Sequence, residues 1–189
     1  KRILSFHIVS QIGYMLMGLG LFTVAGVAGA IVFVVHQIPV KTVLFLAGAH
    51  VETERGSSAL DRAEGLITSK PLIAAFFALP ALSLAGLPPF SGFVAKLALI
   101  DAGIGASSIV IVVVALVGSV LTLLSMVKIW LGVFWGEPEA TQPTARGRGA
   151  SLMTAATTSL VAVTLVVAVF AGPLVDAADE PPRTFSTAR

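Results

Sequence analysis

The chain has 189 residues, of which 56% are hydrophobic and 12% charged, with a formal net charge of +2 and a mean hydropathy of +0.96. Soluble domains carry about 25% charged residues, so this is the composition of a chain whose solvent is a bilayer. With no cysteine, disulfide frameworks, thiolate metal sites and iron–sulfur clusters are excluded, and the small, scattered positive charge argues against nucleic acid.

The chain opens Lys1-Arg2-Ile3-Leu4, without an initiator methionine, and enters an apolar run with no small-residue cleavage site. It reads as a fragment or as a protein missing its true start, not as a signal peptide. About 20 apolar residues cross a bilayer core. The first span is expected over about 3–21, with Ser10 and Gln11 on a face packed against protein, since intramembrane polar groups seek partners on other helices. The second is expected over about 24–50 and carries His36, Gln37, Pro39 and Lys41 near its middle. Lys41 lies roughly 25 Å along it at about 1.5 Å per residue.

Residues 51–70 form a polar loop of nearly balanced sign, with room for a short interfacial helix. A third span, over about 71–102, is interrupted. After a turn at 103–106, a fourth runs over about 107–135, with Trp130 and Trp135 suited to an interfacial aromatic belt. Residues 137–149 are Pro/Gly-rich and polar, 150–172 form a fifth, bland span suited to a peripheral, lipid-facing position, and 173–189 read as a disordered tail. The fold expected is therefore an all-α, polytopic membrane protein of about five transmembrane helices, the third discontinuous. The N-terminus and the 51–70 and 136–149 loops fall on one side with seven basic residues, the tail on the other with Arg183 and Arg189. The positive-inside rule places the loops in the cytoplasm and the tail outside.

Four basic groups could carry chemistry: His36, Lys41, Lys96 and Lys128. Lysine at the bilayer centre costs about 2.5–3.5 kcal/mol on insertion scales, so a deep one calls for a function. Lys128 is balanced between a proton path and snorkelling to the near interface. His36 and Lys41 are five residues apart, about 7.5 Å along a helix but not on one face. Pro39 frees the carbonyl of Val35 between them. A histidine, a lysine and a free carbonyl favour ordered water and a proton path, since histidine titrates near neutrality. The alternative is a structural lysine satisfied by a carboxylate on a neighbouring helix.

The third span contains Ser83-Leu-Ala-Gly-Leu-Pro-Pro-Phe-Ser-Gly-Phe-Val-Ala-Lys96. Pro88 and Pro89 cannot donate to the carbonyls of Leu84 and Ala85, and Gly86 and Gly92 let the backbone unwind. Two half-helices with an irregular linker are expected, and irregular backbone at membrane depth survives only inside protein or against a watery cavity. Half-helix ends aimed at ions are a transporter feature. A tight surface hairpin with Lys96 near solvent stays open as the alternative. No carboxylate lies deep in a span, Asp101 being the nearest, so an oxygen-ligand sodium site is not assembled from this chain. The buried cations look electrically incomplete: either their counter-charges lie elsewhere or the lysines spend time neutral. No nucleophile–base motif, nucleotide loop, cofactor site or metal-ligand spacing is present, and an enzyme is not expected.

Several segments together resemble the antiporter-like subunits shared by respiratory complex I and Mrp-type cation/proton antiporters. Ser10-Gln-Ile-Gly-Tyr14-Met15 resembles the family's S-[QH]-[ILM]-G-[YF] helix start, and His36-Gln-Ile-Pro-Val-Lys41-Thr-Val-Leu-Phe-Leu46 its H-x4-K-x-[AL]-L-F-L helix. Residues 83–96 resemble its S-L-A-G-[LI]-P-P-F-x-G-F-x-[GA]-K segment, and Trp130 to Gly136 its [WY]-x3-F-[WF]-G helix end. Order and spacing match from about Lys1 to Gly136. The His-Gln-Ile-Pro-Val-Lys form and the short 51–70 loop look more like the D-type subunit of Mrp antiporters than like complex I members, which more often read H-A-x-x-K-A.

The resemblance implies a proton-translocating subunit of about 14 helices with two inverted five-helix repeats, of which this chain covers the last five helices. Lys96 falls on the key ionisable position of the second broken helix, and Lys41 and His36 on the central hydrophilic axis. Gln11 stands where some members have histidine. The glutamate and lysines of the first repeat are absent, so the chain alone is not expected to transport. The implied function is a membrane subunit of a multisubunit Na+/H+ antiporter in a bacterial plasma membrane, partnered by other subunits, protons, sodium and lipid. The alternatives are a proton-pumping subunit of a quinone-linked oxidoreductase or membrane hydrogenase, and a truncated structural subunit that carries no ions.

Overall fold

The computed structural model describes residues 2–55, 65–135 and 148–179. They form α1 (Arg2–Gly20), α2 (Val24–Arg55), α3 (Leu66–Ser69), α4 (Pro71–Ala85), α5 (Ser91–Gly105), α6 (Ile109–Val133) and α7 (Arg148–Asp179). Stretches Ile3–Gly20, Val24–Thr53, Ile109–Val133 and Ser151–Pro173 are each long and apolar enough to cross a bilayer, and the chain is a multi-pass, all-α membrane protein. On α6, large apolar side chains such as Val110, Val114, Leu121 and Leu124 are exposed, as expected where the surrounding solvent is hydrocarbon.

α2 is the axis of the bundle, touching α1, α4, α5 and α7. Its 32 residues make a rod of about 48 Å. Its buried stripe (Phe33, His36, Val40, Val43, Ala47, His50) steps three or four residues at a time, the spacing of one helical face. α4 and α5 have 15 residues each, about 22 Å, too short to cross a core of about 30 Å alone. They lie in one line along α2. Leu99 of α5 meets Gly29, and Gly92 meets His36. Ile73, Phe77 and Leu84 of α4 share a core with Val40, Leu44 and Val51. That antiparallel register makes one discontinuous helix and removes the surface hairpin, for Lys96 is only 4% exposed.

Three expectations need correction. α2 continues past His50 to Arg55, because Val51-Glu-Thr-Glu-Arg55 contains no helix breaker. α7 begins at Arg148 and continues through Pro173 to Asp179, so 173–179 is not part of a disordered tail. A proline removes one helix hydrogen bond, here to the carbonyl of Val169, and Leu174-Val-Asp-Ala-Ala178 resumes the helix. The remaining parts of the 51–70 loop, the 137–149 loop and the tail lie outside the described residues. Third, α7 is more than a lipid-facing helix: it packs along α2 and α5. Thr157, Thr164 and Ala171, seven residues apart, are buried, while Leu152, Val166 and Phe170 are exposed. Without a hydrophobic drive between helices in lipid, small and hydroxylated residues make such seams; His50 Nε2 lies 3.2 Å from Thr157 Oγ1.

The α6 end and the α3 start are tied together. The amides of Gly65 and Ile67 donate to the carbonyls of Trp135 and Phe134 at 3.2 Å each. Phe134 is fully buried against Trp130 and Phe77 at 4.7 and 5.3 Å between ring centroids. Trp130 therefore serves packing, while Trp135 is exposed.

Candidate functional site

The break between α4 and α5 is built by its glycines and prolines. Gly86 adopts φ 84°, in the left-handed region that glycine enters without steric cost. This closes α4 in a Schellman arrangement: the amide of Leu87 donates to Leu82 and that of Gly86 to Ser83, at 3.2 and 3.1 Å. The Pro88–Pro89 bond is cis, and the amide of Phe90 donates back to Leu87 before α5 starts at Ser91.

The carbonyls orphaned by the two prolines have a partner from across the break. Lys96 Nζ donates to Leu84 at 3.1 Å and to Ala85 at 3.2 Å. An ammonium at a helix C-terminus also meets the negative end of the helix dipole. The same Nζ lies 5.2 Å from the centroid of the Tyr14 ring, a cation–π contact. Two carbonyls, a helix end and an aromatic face thus surround the cation. They replace the carboxylate whose absence made the site look electrically incomplete; among the described residues no carboxylate is buried.

His36 approaches the break from α2. It is fully buried, with Nδ1 2.8 Å from Ser91 Oγ, which lies 3.4 Å from Ser83 Oγ. A Cβ on Gly92 would stand 1.8 Å from the Ser83 carbonyl oxygen and 2.9 Å from His36 Nε2. The bare glycine lets the last turn of α4, the first turn of α5 and the imidazole share one point. His36 Nε2 has no hydrogen-bond partner.

A second polar string crosses the bundle beside the break. Gln37 Nε2 donates to Gln11 Oε1 at 3.3 Å, Gln11 Nε2 to Thr122 Oγ1 at 3.4 Å, and Thr122 Oγ1 to the Gly118 carbonyl at 2.8 Å. One turn along α1, the Tyr14 hydroxyl donates to the Ala115 carbonyl and lies 2.8 Å from Ser119 Oγ, and its ring stacks on Phe33 at 5.3 Å. We expect Tyr14→Phe to destabilise the α1–α6 seam by about 1 kcal/mol, the net worth of a typical hydrogen bond. The measurement is thermal unfolding of the purified full-length protein; an unchanged midpoint would remove the hydroxyl's role.

The structure thus brings His36, Lys96, Gly86 and Gly92 together, with Pro88 and Pro89 at the exposed side of the turn. Lys41 is half-buried on α2 and forms no hydrogen bond with the described residues. Lys128 is exposed on α6, likewise without a partner among them. Sequence reasoning missed the parts played by Tyr14, Gln37, Ser83 and Ser91. The serines carried one signal, since they flank the two prolines at either end of the break.

Residues 1–122 match the family model described as NADH:quinone oxidoreductase/Mrp antiporter, transmembrane. The chain belongs to this family. Among its relatives, the D subunit of the Na+/H+ antiporter of Alkalihalophilus pseudofirmus is 42% identical over 174 residues, covering 92% of this chain and 35% of that protein. The corresponding D subunit of Bacillus subtilis is 33% identical over 150 residues, covering 77% and 30%. The fold matches a chain in the structure of the Mrp complex from Dietzia sp. DQ12-45-1b with a TM-score of 0.83 and 36% identity, over 93% of this chain and 41% of that one. The described helices are therefore a family module, and the chain spans about a third of the length of the curated relatives it matches.

Proposed function

We propose that this chain is the C-terminal part of the D-type subunit of a multisubunit Mrp-type Na+/H+ antiporter in a bacterial plasma membrane, and that it carries the outer end of a proton path. The observation that carries the reading is Lys96, a buried cation held by carbonyls at a helix break. The family membership and the D-type relatives support it.

With the 51–70 loop in the cytoplasm and the tail outside, α4 runs outward and Lys96 sits beyond the break. Lys41 and His36 on α2 continue the path on the cytoplasmic side of the break. The imidazole, Ser91 and Ser83 form a hydroxyl-lined link into the break. Outward of Lys96, a cleft of about 300 Å³ opens between the start of α2 and the end of α5, lined by Thr23, Gly29, Asp101 and Ala106 among others; it serves as the outer mouth of the path. Each proton leaving Lys96 removes the charge that holds the α4 carbonyls, so loading and helix-end capping are coupled. Lys128, on the outer face of α6, reaches for the interface and stays outside this path.

The test uses the full-length protein in its complex, in inverted vesicles acidified by ATP hydrolysis. Adding sodium is expected to collapse the pH gradient in the absence of any electron donor. A collapse that needs an electron donor would instead identify a subunit of a redox pump, the reading that the shared family leaves as second.

A further inference from the structure

The α1–α2 seam holds polar atoms that the break does not use. The two helices run antiparallel in a fixed register. Gly18 meets Gly26 and Leu4 meets Gly48. Between these points Tyr14 stacks on Phe33 and Gln37 donates to Gln11. One turn back on α1 and one turn forward on α2 from that glutamine pair lie His7 and Lys41, which this register sets opposite each other.

The hydrogen-bond direction along the seam is fixed from Gln37 through Gln11 and Thr122 to the Gly118 carbonyl. Each glutamine of the string donates toward α6, and Gln37 Oε1 is left buried without a donor. His7 Nδ1 is buried without a partner as well, and the Lys41 ammonium finds no acceptor among the described residues. A vacant acceptor, an imidazole nitrogen and a cation with free donors thus meet within one turn of a membrane-buried seam. Buried polar groups are satisfied by water where protein does not reach them, and an ionisable side chain inside a membrane marks a function by default. His7 also lies within the electrostatic reach of both Lys41 and Lys96. The other titratable groups on these elements are Arg2 and Tyr14 on α1, His36, His50, Glu52, Glu54 and Arg55 on α2, Lys96 and Asp101 on α5 and Lys128 on α6; of these His36, His50, Tyr14 and Lys96 are buried, and His50 is engaged with Thr157 of α7.

We propose that His7 is a further proton-relay residue, exchanging protons with Lys41 through water held between His7 Nδ1 and Gln37 Oε1, with Gln11 and Thr122 as positioning residues. The inference rests on the proton-path reading above and adds a station on α1. In the step, the Lys41 ammonium gives a proton to the bridging water and becomes neutral. The water passes a proton to His7 Nδ1, and the ring releases the proton on Nε2 to water, so one proton moves on and the imidazole ends in its other tautomer.

The test places His7→Gln and His7→Ala in the full-length protein within its complex and reads sodium-dependent proton movement in inverted vesicles, with Lys96→Ala alongside. Glutamine fills the space and makes hydrogen bonds but does not titrate. Both His7 variants are expected to lose at least about fivefold in rate at normal levels of assembled protein. A wild-type rate in either variant overturns the relay, and so does rescue by glutamine of a loss seen with alanine, which would mark a spacer. If Lys96→Ala is inactive while the His7 variants are normal, only the relay falls; if Lys96→Ala is also normal, the proton-path reading falls with it. Should neither His7 variant assemble, ¹⁵N-histidine solid-state NMR on the wild-type complex decides: exchange between the two ring tautomers at His7 upholds the relay, and one fixed tautomer overturns it.

Discussion

Gly92→Ala is expected to remove most of the assembled protein from the membrane. The added methyl would stand 1.8 Å from the Ser83 carbonyl oxygen, far inside van der Waals contact, and that atom is helix backbone with no rotamer to escape into. Overpacking a well-fitted interior costs about 1–3 kcal/mol even when side chains can move. Here the end of α4 must shift away from the start of α5, which breaks the Ser83–Ser91 contact and pulls Ser91 from His36. A small apolar replacement elsewhere on α5 offers a control, since exposed Leu97 should accept alanine. Immunoblots of membranes carrying each full-length variant measure the effect. Wild-type levels of Gly92→Ala would show that the half-helices do not meet as closely as described.

Lys96→Met, by contrast, is expected to assemble and to be inert. Two effects of similar size oppose each other. Removing the ammonium strands the Leu84 and Ala85 carbonyls, at about 1–3 kcal/mol for each buried group left unsatisfied. It also relieves the membrane of a deep cation, worth about 2.5–3.5 kcal/mol. Methionine is flexible and fills the same channel between Tyr14 and the end of α4. The helix pair should therefore persist while the only buried lysine among the described residues is gone. A loss of assembled protein equal to that of Gly92→Ala would assign Lys96 a purely structural role as the cap of α4.

The all-helical class and the interrupted span were legible because they follow from strong local rules. Hydropathy marks spans, and proline cannot donate. The two carbonyls orphaned by Pro88 and Pro89 could be named from the sequence as Leu84 and Ala85. What satisfies them could not, because Lys96 reaches back to them only once α5 is laid in line with α4 along α2. The same holds for the glutamine string. Gln11 and Gln37 are ordinary polar residues until an antiparallel register sets them opposite each other. The α7 seam is hidden for a different reason: threonine hydroxyls can be satisfied by their own helix, as Thr157 is by the Met153 carbonyl at 2.7 Å and Thr164 by that of Leu160 at 2.9 Å, so nothing in the sequence demands a partner helix. His36 and Lys96 were picked out as deep basic residues. Their contacts with Ser91, Ser83 and Tyr14 depend on tertiary placement.

The two lysines of the path are held differently. Lys96 has partners on three sides. Lys41 has a register, a neighbour in His7 and free donors, and its place in the path is the less constrained of the two. Both are required if protons run between α2 and the break. The most direct measurement is sodium-dependent proton movement in inverted vesicles containing the full-length protein in its complex, with Lys96→Ala and Lys41→Ala compared at matched levels of assembled protein. Each substitution is expected to abolish the movement. Normal movement in both would contradict a proton path through the broken helix.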